Sequence, residues 1–245
     1  MPIYVYKKKD NSLKKRAINY LSYIFLIIGA LLLFWSFYPI ISFEIYSRFF
    51  LNEQFASPVS NDKNKVISNA NSVLGTFNIF SNNLRDYTHA SIWFPSIGKV
   101  NASTTVFSVK EYALSIPKLN INNAKVVVGG EDLNKSLVHF LPENLPGEFG
   151  NVVIFGHSTL PQLYNVKDYK TIFTFLPSLE KGDIIRIKIN DIEYEYVVYD
   201  MFIVNPDQVE VLKQQKDGAY LTLITCVPPG TYLKRLVVKA KLRLL

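Results

Sequence analysis

The order of apolar and polar positions divides the chain into stretches of different character. Residues 17–43 contain no Asp, Glu, Lys or Arg, and include Leu21, Ile24, Phe25, Leu26, Ile27, Ile28, Leu31, Leu32, Leu33 and Phe34. About 20 apolar residues cross a bilayer as an α-helix, so the run predicts one transmembrane helix over 17–43. A cleavable signal peptide has a shorter apolar region and a small-residue cleavage site. This run ends in Phe37-Tyr38-Pro39-Ile40-Ile41 and reads as an uncleaved anchor. Tyr20, Tyr23, Trp35 and Tyr38 lie toward its ends, where interfacial aromatics belong. The alternative, a buried core helix, rarely runs this far without a charge.

Residues 44–105 are rich in Asn and Ser, as in Ser57-Pro58-Val59-Ser60-Asn61-Asp62 and Asn69-Ala70-Asn71-Ser72. They predict a partly disordered spacer with short helices that holds a folded domain off the membrane. From residue 106 the pattern turns to short β-type runs at 112–116, 125–128, 151–155, 184–189, 194–199, 220–225 and 236–242. Turn signals separate them, among them Gly129-Gly130, Pro146-Gly147, Lys181-Gly182-Asp183 and Asn190-Asp191. Short helices are expected over 168–179 and over 206–215, the latter after Asn205-Pro206-Asp207. So many short strands predict a mainly β domain over 106–245, as a sandwich or a closed barrel.

Charge adds direction. The formal net charge is +7, and Lys7, Lys8, Lys9, Lys14, Lys15 and Arg16 all precede the apolar run. The positive-inside rule makes residues 1–16 a cytoplasmic tail and puts residues beyond about 44 outside the cell. No arginine-rich stripe or base-stacking motif accompanies the charge, so no nucleic-acid partner is expected. Metal-binding, phosphate-loop and dinucleotide motifs are absent from the sequence.

The chain has one cysteine, so no intramolecular disulfide can form. Cys226 ends the run Leu221-Thr222-Leu223-Ile224-Thr225 and precedes Val227-Pro228-Pro229-Gly230. A thiol where a strand gives way to a loop is either a nucleophile facing a cleft or a small buried hydrophobe. His157 follows Val152-Val153-Ile154-Phe155-Gly156 at another strand end, a placement that suits an acid/base. His139, between Val138 and Phe140, reads as a packed histidine, and His89 falls in the spacer. Arg235 starts the last strand, nine residues after Cys226. A hairpin would bring its guanidinium near the end of the cysteine strand, where it could hold an oxyanion. The other reading is a solvated edge arginine. Arg186 and Arg243 lack that placement.

At these residues the sequence resembles the sortase family. Thr222-Leu223-Ile224-Thr225-Cys226 is similar to the family's T-L-x-T-C strand, and Arg235-Leu236-Val237-Val238 to its arginine strand. Ile116-Pro117-Lys118-Leu119-Asn120-Ile121 resembles the early I-P-x-L-x-I strand. The stretch from Pro146-Gly147 through Gly150-Asn151 to Gly156-His157 resembles the P-G-x-x-G-N-x-x-I-x-G-H block. The blocks stand in family order over about residues 112–243. The resemblance implies a closed eight-stranded β-barrel and a thiol transpeptidase that needs no organic cofactor. It implies Cys226 as nucleophile, His157 as the acid that protonates the leaving amine, and Arg235 as the oxyanion clamp. Thr225, beside the nucleophile, would help shape the oxyanion site. The implied partners are secreted proteins with a C-terminal sorting signal and an amine on a cell-wall precursor or pilin. After His157 comes Ser158-Thr159-Leu160-Pro161, where many relatives carry an Arg-Asp pair. Two other readings remain open: a cysteine peptidase that uses water, and an inactive surface assembly module that kept the barrel.

Overall fold

In a computed structural model, the described residues are 12–50, 86–95 and 109–243. Most of the spacer, including both Asn/Ser-rich stretches quoted above, and the basic cluster up to Asp10 lie outside them. Contacts divide the chain into two units, Met1–Phe43 and Glu44–Leu245.

A single helix, α1, spans Ser12–Phe50, extending past the apolar run on both sides. Its segment Ile18–Tyr38 has a mean hydropathy of 2.1 and none of it is buried. At about 1.5 Å rise per residue, 21 residues cover roughly 30 Å, the thickness of a bilayer's hydrocarbon core. The segment is therefore long and apolar enough to cross a membrane.

The second unit contains β1 (Glu111–Ile116), β2 (Ile121–Val128), β3 (Leu137–His139), β4 (Gly150–Phe155), β5 (Ile184–Ile189), β6 (Ile192–Val204), β7 (Ala219–Val227) and β8 (Lys234–Leu242). These strands form a closed barrel in the order β1-β2-β3-β4-β7-β8-β6-β5. Closure leaves no unpaired edge. Strand β3 was not expected, because three residues are too short to show a period. Neither predicted helix forms as an α-helix: the first region holds turns and a 3-10 turn at Leu176–Ser178, the second a 3-10 turn at Val209–Leu212. Pro177 and the β-branched Thr171, Ile172 and Thr174 disfavour helix in the first region.

Side chains alternate between the faces of a strand, and in the central strands both faces are covered. One face carries Val152, Ile154, Leu221, Leu223, Leu236 and Val238, all fully buried. The other joins Val153, Phe155, Ile224, Cys226 and Val237 to a second cluster with Ala90, Trp93 and Phe94. This accounts for the unbroken apolar run of β4, which reads as burial on both sides rather than as alternation.

Residues 86–95, within the stretch read as spacer, therefore form part of the folded unit. Ala90 N donates to Glu131 O at 3.0 Å and Leu133 N to Thr88 O at 3.0 Å. Trp93 stacks on Phe155 with ring centroids 5.2 Å apart, and Tyr87 stacks on Tyr232 at 4.3 Å. The apolar Ile92-Trp93-Phe94 inside a polar region is the sequence signal of this docking.

Candidate active site

Strands β4 and β7 run parallel, from Gly150↔Ala219 to Phe155↔Ile224. Two parallel neighbours release their chains at the same end of the barrel. His157 leaves β4 there, and Cys226 lies near the end of β7. Strand β8 runs antiparallel to β7, in a register that sets Cys226 directly opposite Arg235. The topology thus brings Cys226, His157 and Arg235 to one end of three adjacent strands. Gly156 permits the close passage before His157: a Cβ there would collide with the Phe173 ring and Leu137 Cδ2.

The arginine is held rather than solvated. Its side chain is 1% exposed. Nη1 donates to Tyr232 O at 3.0 Å and Lys234 O at 3.2 Å, and Nη2 donates to Trp93 O at 3.1 Å. The guanidinium also lies over the Trp93 ring, 5.4 Å from its centroid. Among the described residues Nε has no hydrogen-bond partner. A buried cation with a free donor, opposite a thiol, is suited to binding a developing negative charge.

Trp93 closes this end of the barrel. Its ring centroid is 5.6 Å from that of His157, and its Nε1 donates to Tyr87 O at 3.0 Å. Cys226 is 1% and His157 6% exposed in this state. Burial pushes the Cys226 thiol above its ordinary value, opposed by the Arg235 charge. Burial pushes His157 down to about 4; Asp132 and Asp168 oppose that shift and Lys170 adds to it. The closed site therefore holds a neutral thiol and a neutral imidazole at pH 7. Trp93→Ala is expected to raise the rate of Cys226 alkylation by iodoacetamide at least about tenfold, by lowering the cost of local opening. An unchanged rate would mean that the thiol is reached by another route.

The Thr225 hydroxyl donates to Gly156 O at 2.8 Å and is fully buried. That bond supports the histidine strand and directs the hydroxyl to the face opposite Cys226. Sequence reasoning missed Ser158, whose hydroxyl donates to Cys226 O at 2.6 Å. His139 lies apart, in edge contact with Tyr112 at 5.9 Å, and His89 is exposed.

Two buried imidazoles make stability depend on pH. Burial holds His139 down to about 3, beside the value of about 4 for His157. Unfolded histidines titrate near 6.5, so below that pH the unfolded chain binds more protons. This stabilisation is complete above about pH 6.5 and is lost as pH falls through 4 toward 3. Each ring contributes a slope of about 1.4 kcal/mol per pH unit between those limits. The melting temperature should fall as pH is lowered from 7.5 to 4.5, and fall less steeply in His139→Phe. Equal slopes for the two chains would remove His139 from this account.

The Sortase domain family matches residues 114–243, more than half of the chain. The chain belongs to the sortase family. It is 30% identical over 133 residues to sortase D of Bacillus subtilis (strain 168), covering 52% of this chain and 61% of that protein. It is 33% identical over 136 residues to sortase A of Bacillus anthracis, covering 55% of this chain and 57% of that protein. The matched part thus spans less than two thirds of either relative's length. Among solved structures, the sortase D5 transpeptidase of Clostridium perfringens is 27% identical, with a TM-score of 0.47, covering 55% of this chain and 79% of that one.

Proposed function

We propose that the chain is a membrane-anchored cysteine transpeptidase acting on secreted proteins that carry a C-terminal sorting signal. The observation that carries this reading is the register of β7 and β8, which sets the chain's one thiol opposite a buried guanidinium, beside a histidine at the parallel end of β4. Family membership supports the reaction class.

The substrate carbonyl takes the place of the Trp93 carbonyl at Arg235. Cys226 Sγ attacks the scissile carbonyl carbon and its proton passes to His157. Arg235 stabilises the oxyanion, and Thr225 braces the histidine strand from behind. The C–N bond then breaks as His157 gives its proton to the leaving amine, and a thioester remains. An amine on a cell-wall precursor or pilin attacks the thioester and loses its proton to His157. The thiol leaves and is reprotonated. Displacing Trp93 readmits water, which moves His157 back toward its ordinary value and so toward acid function.

In this reading residues 1–16 are the cytoplasmic tail, 17–43 the single membrane span, 44–105 an extracytoplasmic linker whose residues 86–95 pack onto the folded domain, and 106–245 the catalytic domain. The upstream lysines and arginine support that orientation. The full chain in detergent, given sorting-signal peptides and hydroxylamine, should yield the peptide hydroxamate. Carboxylate product alone, at any amine concentration, would indicate a peptidase. No cleavage of any peptide would favour an inactive assembly module.

A further inference from the structure

The ladder that joins the histidine strand to the cysteine strand stops just short of both residues. Its last pair is Phe155↔Ile224, followed by one backbone bond from Gly156 N to Ile224 O at 3.1 Å. Beyond that point two hydroxyls continue the connection. Thr225 Oγ1, from the residue before Cys226, donates to the carbonyl of Gly156, the residue before His157. Ser158 Oγ, from the residue after His157, donates to the carbonyl of Cys226 itself. The two bonds run in opposite directions between the strands and bracket His157. The rest of that turn is fastened elsewhere, with Phe173 N on His157 O at 2.9 Å and Thr159 N on Thr174 Oγ1 at 3.0 Å.

We propose that Ser158 is a positioning residue that fixes the peptide unit of Cys226 relative to the loop carrying His157; this rests on the reading of those two residues as nucleophile and acid/base. Ser158 lies where the resemblance leads one to expect the first residue of an Arg-Asp pair. An arginine would offer a long charged fork there, whereas serine reaches the adjacent carbonyl with a short hydroxyl. The bond holds the Cα–Cβ vector of Cys226 at one angle to the imidazole. Displacement of reacting groups by about 1 Å can cost on the order of 10²-fold in rate. Loss of one of two bracketing bonds leaves part of the restraint in place, so a smaller loss is expected.

The test uses the full chain and two readouts. In amine transfer, Ser158→Ala should lower kcat about tenfold and leave KM within about twofold, because the hydroxyl acts on reacting geometry and not on substrate binding. Ser158→Thr keeps a hydroxyl and should recover most of the loss. The second readout is Cys226 alkylation by iodoacetamide, which needs no peptide substrate. Ser158→Ala should slow it about tenfold in the parent chain and less than about twofold in a His157→Ala chain, since a residue that acts through the pair loses its effect when the pair is gone. An equal slowing in both chains would make Ser158 a packing residue and overturn the proposal. So would alkylation at the parental rate in folded Ser158→Ala. Should the parent fail to transfer any peptide to an amine while the alkylation cycle behaves as stated, the transpeptidase reading fails and the positioning role stands.

Discussion

Cys226→Ala is expected to leave the barrel folded and to lower amine transfer by at least about 10³-fold, the scale on which nucleophile deletions act. No other thiol exists in the chain to take over the attack. The substitution removes one buried atom from a cluster dominated by Phe155, Ile224 and Val237, so the fold should tolerate it. His157→Ala should cost about 10²- to 10⁴-fold, the usual range for a positioned acid/base. His89→Ala, at an exposed position, should stay near the parent value. Transfer to hydroxylamine measures the loss, and circular dichroism checks the fold. Transfer by a folded Cys226→Ala chain would disprove the covalent route. Equal losses at His89 and His157 would show that the wrong base is assigned.

The second large effect is expected at Arg235. Removal of one oxyanion donor costs about 10²- to 10³-fold in turnover. Lysine keeps the charge but cannot serve the carbonyls of Tyr232, Lys234 and Trp93 from one planar group, as Arg235 does. Arg235→Lys should therefore remain impaired by nearly as much as Arg235→Ala. Arg243, at the far end of β8, pairs with Glu195 at 2.8 Å in the open, and Arg243→Lys should keep transfer within about twofold. Near-parental turnover by a folded Arg235→Ala chain would leave the guanidinium a structural role, with the oxyanion held by backbone donors.

The strands around the site were legible because their apolar runs are long and bounded by Gly, Pro and Asn turns. The meeting of Cys226, His157 and Arg235 at one end was legible because Cys226 and His157 stand where such runs end and Arg235 where one begins, and a short antiparallel connection implied the nearness of Arg235 to Cys226. The parallel pairing of β4 with β7 was not, since its partners lie about 70 residues apart and no local pattern records it. Residues 86–95 escaped for a different reason. Polar neighbours on both sides lower the average hydropathy of a stretch whose Trp93 and Phe94 are nonetheless buried. Thr225 was singled out for its place beside the thiol, but its bond to Gly156 depends on which face of the strand it occupies. Ser158 stood out only as a departure from the family's Arg-Asp pair, and its bond to Cys226 left no signal because the acceptor is a backbone carbonyl.

Strand β8 lies between β7 and β6 and is the last described strand along the sequence. The barrel can close only after this strand, tied to β7 by a short connection, seats against β6. A chain that has folded only as far as β7 holds the thiol and the histidine but has no guanidinium opposite them. An incompletely folded molecule would then carry the thiol without the guanidinium proposed to hold the oxyanion. On the proposed mechanism, enzymatic competence should thus arrive in a single step with the seating of Arg235, and could serve as a direct reading of complete folding.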